Sequence, residues 1–135
     1  MIDTIEHIPE PARAIAELKR ISRYTIFKVP LEDNLGQNVY NTITNGKVRA
    51  REFEHLGHVN FFNIKSIVRL IKSNGGSPIR HSFCNLYDYY LTSPYYQDMN
   101  RLNKTVNSMG RVTYKLSPKI SSYIFPDCVM LLVQF

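Results

Sequence analysis

The two prolines at positions 9 and 11 constrain this chain more than any other feature. Proline has no backbone N–H and a fixed φ, so it closes an extended segment and suits the first turn of a helix, where a donor would go unused. Just before them, Asp3-Thr4-Ile5-Glu6-His7 sets two acids and a histidine in one short run. After them, Ala14, Ile15, Leu18 and Ile21 fall on one helical face, with Glu10 near the start and Lys19 and Arg20 near the end to complement the dipole. The spacing predicts a helix over Ala12–Arg20. Residues 1–8, in which Ile2, Ile5 and Ile8 recur, alternate loosely and are too short to establish a strand by pattern, though their place before the helix is where one is expected. Ionisable side chains are therefore concentrated where a strand hands over to a helix, the place at which open α/β sheets bind ligands.

Further along, Tyr24–Val29 is rich in β-formers and ends at Pro30. Residues 31–60 have no clear period and carry turn signals at Asp33-Asn34-Leu35-Gly36 and Thr44-Asn45-Gly46-Lys47. A loop that long in a compact domain reads as a lid or binding segment, with a short helix expected within residues 37–54. Asn63 is a good N-cap for a helix whose Ile64, Ile67, Val68 and Ile71 share a face, and Gly75-Gly76 suits its left-handed end. Ser77–Phe83 reads as a strand of mixed polarity. Residues 84–127 then form an insertion before a final strand, Val129–Val133, which is apolar without alternation, as in a strand covered on both faces. The order of elements predicts an α/β fold with an antiparallel finish, in a single domain spanning residues 1–135.

Composition narrows the function classes. At 44% hydrophobic and 21% charged, the chain reads as globular. No apolar run approaches the ~20 residues of a membrane span, and with acids this early the first residues are not expected to act as a secretory signal. Cys84 and Cys128 lie far apart with no metal spacing, so a reducing, cytoplasmic setting is expected. Residues 1–60 hold eight Lys/Arg and eight Asp/Glu, whereas residues 61–135 hold nine and three, which places the whole net charge of +6 in the second part. A basic half attracts anionic partners, among them nucleic acid, and also serves plain solubility.

Residues 3–33, with their Asp-x-x-Glu-His run, resemble the fourth strand, following helix and fifth strand of class I S-adenosylmethionine-dependent methyltransferases, and Gly57-His58-Val59-Asn60-Phe61-Phe62 with the helix after it is similar to the next segment of that family. The resemblance covers residues 1 to about 83 well and the rest loosely. It implies the C-terminal half of a Rossmann-like sheet, with parallel strands finishing in an antiparallel pair. The family's Gly-rich cofactor loop has no counterpart, since no G-x-G-x-x-G occurs among the 135 residues. The resemblance thus implies a partial domain whose missing N-terminal half, or a partner chain, holds most of the methyl donor. Such a fragment is expected to bind S-adenosylmethionine weakly or not at all, to be inactive alone, and to be marginally stable or self-associating along its open sheet edge.

The residues that could carry chemistry follow. Two carboxylates and an imidazole at one strand end can act as acid and base or hold a divalent metal; Glu6 and His7 are the candidate catalytic pair. By resemblance, Ile2, Asp3 and Thr4 line one edge of the donor site. In members that bind a metal, such as small-RNA 2′-O-methyltransferases, acids and a histidine of this motif are joined by a later histidine, which implies Asp3, Glu6, His7 and His58 here. Asp3 is one methylene shorter than the family's usual Glu. The alternative is that Glu6 and His7 only cap and orient the helix. Tyr87 and Tyr90, in a patch with Tyr89, Tyr95 and Tyr96, either stack on the methyl acceptor or pack as one face of an amphipathic helix. The expected function is methyl transfer to an unidentified acceptor. The alternative is a small basic nucleic-acid-binding module without catalysis.

Overall fold

The computed structural model describes residues 1–94 and 98–135. It is a small α/β domain built on three strands, β1 (Tyr24–Leu31), β2 (Ser77–Phe83) and β3 (Asp127–Gln134), in the spatial order β1-β3-β2. Helices α1 (Pro11–Ile21), α2 (Leu35–Ile43), α3 (Lys47–Arg51), α4 (Ile64–Ser73), α5 (Leu86–Thr92), α6 (Arg101–Leu116) and α7 (Pro118–Ile124) complete the described elements. A 3₁₀ turn, Ile5–His7, precedes α1, and a π-helical turn, Glu52–Leu56, continues α3.

The sheet corrects the expectation of parallel strands. β3 pairs antiparallel with both β1 (Phe27 opposite Leu131, Val29 opposite Val129) and β2 (Phe83 opposite Val129), so no two neighbouring strands are parallel. The reason is burial. β3 is the most apolar strand, and an apolar strand gains most from the central position, where neighbours satisfy both of its edges. The strand expected over residues 1–8 is also absent. Ile2 makes one isolated parallel bridge to Lys28, and Asp3 then turns to a positive φ of 45°. The left-handed conformation stops extension there, and the chain curls into the 3₁₀ turn. The Rossmann-like half-sheet implied by the resemblance is therefore not the architecture of this chain.

One face of the sheet carries the core. Phe27, Val29 and Leu31 of β1 and Val129, Leu131 and Val133 of β3 are buried against Ile5, Ile15 of α1 and Ile67 and Ile71 of α4. The opposite face is partly open, with Tyr24 and Ile26 each 50% exposed and Met130 40% exposed. β3 is thus covered fully on one face only. Helix starts follow local chemistry. Pro11 opens α1, and Asn63 and Ser66 form a reciprocal capping box at α4. Gly75 ends α4 at a φ of 82°, where a side chain would be strained. Residues 31–60 are not a structureless loop but α2, α3 and the π-helical turn. None of the described helices is long and apolar enough to cross a membrane.

Candidate metal centre

The 3₁₀ turn buries Glu6 and leaves His7 exposed beside it, and the loop after the π-helical turn returns His58 to the same place. The potential ligand atoms of Glu6, His7 and His58 all lie within 4.8 Å of one another, although His58 is about fifty residues away in sequence. Backbone hydrogen bonds close this junction: Val59 N–H and Asn60 N–H both donate to the Glu6 carbonyl, at 2.9 and 3.0 Å. Asn60 also donates its side-chain amide to Ile8 O, at 2.7 Å.

The hydrogen bonds assign the imidazole tautomers. His7 Nδ1 lies 3.1 Å from the carbonyl oxygen of Gly57, which can only accept, so Nδ1 carries the proton. His58 Nδ1 lies 2.8 Å from Glu32 Oε2 and 2.9 Å from Oε1, and it likewise donates. Both rings therefore keep Nε2 as a free lone pair when neutral. Carboxylate or carbonyl partners on the far nitrogen are the usual outer support of metal-ligating histidines. The two rings meet edge to face, with centroids 4.8 Å apart. Glu6 is 1% exposed, its Oε1 lies 3.8 Å from His7 Nε2, and its Oε2 has no hydrogen-bond partner among the described residues. A buried carboxylate oxygen without a partner is costly, and a bound cation would remove that cost. The donor set of one carboxylate and two imidazoles thus fits a divalent ion.

Two more acids surround the centre. Burial pushes the Glu32 carboxyl up from its ordinary range, against the lowering effect of the His58 hydrogen bond. Glu52 is pushed up to about 7, first by burial and then by the nearby Glu32 charge, and it accepts a hydrogen bond from Gln37 at 3.0 Å.

The other sequence candidates lie elsewhere. The Asp3 carboxylate accepts from Lys28 Nζ at 2.6 Å and is not part of the Glu6–His7–His58 group. That hydrogen bond is the main cause of the raised Lys28 pKa. Ile2 is 61% exposed, and the Thr4 hydroxyl donates to Ile2 O; together with Asp3 they form a local turn. Tyr87 is 1% exposed and forms the centre of the α5–α6–α7 packing, with Ser121 Oγ donating to its hydroxyl at 3.2 Å and Tyr114 and Phe125 at its ring edges. Burial drives its phenol pKa upward. Tyr90 is half-buried beside Tyr89. Tyr95 and Tyr96 lie outside the described residues. Glu32 and Gly57 were not singled out by sequence reasoning. Gly57 stands beside His58 in the motif, but nothing in the sequence marks Glu32 as a histidine's partner.

Compared with known protein families and with curated proteins, the chain matches none.

Proposed function

We propose that the chain provides the metal-and-acceptor side of S-adenosylmethionine-dependent methyl transfer, with Glu6, His7 and His58 holding a divalent cation. The observation that carries this reading is the convergence of three ligand groups with both Nε2 lone pairs free. A divalent ion held there would lower the pKa of a bound acceptor hydroxyl and so make it a better nucleophile at neutral pH. Glu6 and His7 orient that hydroxyl, and Glu32 fixes the His58 ring. Transfer from a sulfonium demands in-line placement, which is a matter of orientation more than of covalent help from the protein. Residues 2–4 supply one edge of the donor site, so the rest of the donor is held by a partner segment, and the chain by itself binds S-adenosylmethionine weakly or not at all.

The test is calorimetric titration of the chain with Mn²⁺, in the unaltered form and in His7→Ala and His58→Ala. Stoichiometric binding is expected, and each substitution should remove it while the circular dichroism spectrum is kept. Equal binding in all three proteins would end the metal reading. Micromolar binding of S-adenosylmethionine to the chain alone would end the shared-donor reading. A basic module without catalysis is the second reading, favoured by α6, which carries Arg101, Lys104, Arg111 and Lys115 and no acid.

A further inference from the structure

The turn that delivers His58 also walls a second site. α2 and the continuous helical run Lys47–Leu56 enclose an open-sided cavity of about 500 Å³. One wall presents Lys47, Arg51 and His55, spaced i, i+4 and i+8, and the other presents Tyr40 and Thr44, spaced i, i+4. Each wall is one face of a helix turned towards the other.

The charges in this run are divided in a telling way. Arg49, between Lys47 and Arg51 in sequence, points away: it donates to Asn38 at 2.8 Å and to Asp33 at 3.3 Å and lies over the Phe61 ring. It is a structural strut. Lys47, Arg51 and His55 are exposed, and among the described residues no side-chain hydrogen bond or ion pair engages them. The acid on the same lining, Glu52, is already held by Gln37. Arg51 also acts electrostatically on Glu52, but three cationic or protonatable groups against one acid on a wall of a concave site still focus a field that favours anions. Tyr40, 57% exposed, offers an aromatic face across from them. The π-helical turn within the run is the kind of irregular helix that recurs at functional sites.

We propose that this groove binds a nucleotide unit, its phosphate on Lys47, Arg51 and His55 and its base stacked on Tyr40. Arg supplies forked donors that match phosphate oxygens, and a tyrosine ring accepts any base face. The groove abuts the metal centre, because His58 N–H donates to Glu52 O at 3.4 Å and Gly57 O holds His7. Naming the ligand as the methyl acceptor rests on the reading above; the groove itself does not.

The experiment titrates a ten-nucleotide oligouridylate and uridine monophosphate, separately, into the full chain at 50 and 200 mM salt. It compares the unaltered chain with Lys47→Glu/Arg51→Glu, Tyr40→Ala and Arg80→Glu, the last a charge reversal on exposed β2 outside the groove. The double reversal is expected to weaken both ligands about tenfold or more, and Tyr40→Ala about tenfold. Arg80→Glu should change little, and binding should fall as salt rises. The neutral pair Lys47→Gln/Arg51→Gln, expected to fall between, guards against a folding defect. Tighter binding of the oligomer identifies a strand as the source, and equal binding identifies a free nucleotide. Unchanged affinity in the double variants, or an equal loss in Arg80→Glu, overturns the groove. Mn²⁺ titration of the same proteins separates the two sites. Nucleotide binding that depends on Lys47 and Arg51 in a chain that takes no Mn²⁺ leaves the groove standing and removes the metal. Mn²⁺ binding without nucleotide binding does the reverse.

Discussion

Two groups of side chains drew attention in the sequence, the acid–histidine run at residues 3–7 and the tyrosine patch after residue 86, and the fold treats them in opposite ways. At the first, two imidazoles, His7 and the incoming His58, are gripped by their Nδ1 atoms and keep Nε2 open, beside a buried carboxylate oxygen with no partner among the described residues. At the second, Tyr87 has its hydroxyl engaged and its ring closed in, and Gly110 sits so tightly against that ring that a Cβ there would collide with it. The comparison separates polarity that serves packing from polarity held ready for something else. Burial alone does not distinguish them, since Glu6 and Tyr87 are equally buried. The difference is whether the polar atoms have found partners within the chain.

The comparison breaks most visibly at Tyr87. Removing this ring leaves a large cavity between α5, α6 and α7, and Tyr87→Ala should cost about 3–5 kcal/mol, as aromatic truncations in cores do. Urea denaturation reads this directly. A loss below about 1 kcal/mol would mean that Tyr87 is not a packing residue and would return it to the list of possible substrate contacts.

At the other group, Glu32→Gln leaves the ligands in place but weakens the support of His58. We expect Mn²⁺ affinity to drop about 10–100-fold, the range for lost outer-shell partners, with a melting temperature close to that of the unaltered chain. Unchanged affinity would reduce the Glu32–His58 hydrogen bond to a structural contact.

A third, smaller effect concerns pH. Burial pushes the Glu52 carboxyl up to about 7 from an ordinary 4.5, so the folded state binds a proton more tightly than the unfolded state. The stabilisation is complete below about pH 4.5 and is lost as pH rises through 7. Glu52→Gln keeps an acceptor for Gln37 and removes the titration. Measured with chelator present, its melting temperature should rise relative to the unaltered chain between pH 5 and 8. A constant difference across that range would show that Glu52 ionises normally. Least of all, Asp3→Asn loosens only a half-exposed ion pair with Lys28, worth about 0–1 kcal/mol. It should leave Mn²⁺ binding untouched; a clear loss would move Asp3 into the ligand set.

Helix starts and ends were legible because they depend on neighbours in sequence. Pro11, the Asn63–Ser66 box and the Gly75 turn are each written within a few residues. The apolar face of α4 was equally local, a matter of period. Strand partnership was not. Residues 1–8 have the composition of a strand end, yet Asp3 at a positive φ and a single bridge to Lys28 leave them a turn. Within residues 84–127 the amphipathic spacing of Tyr87 and Tyr90 anticipated α5, but α6 and α7 were hidden for a different reason. The stretch that forms them is polar and basic, while the packing that orders it centres on Tyr87, Gly110 and Ser121, which are far apart in sequence.

The sequence by itself determined the boundaries of α1 and α4, the identity of the acid and histidine side chains and the uneven charge, because each is a property of composition or short-range chemistry. Only the tertiary structure decided that β3 lies between β1 and β2, that Asp3 turns to Lys28 while His58 joins Glu6 and His7, and that Glu32 supports His58. Those outcomes depend on which distant segments compete to bury the same apolar surface. Long-range pairing of that kind is settled by the free energy of the whole core and not by any one stretch of the chain.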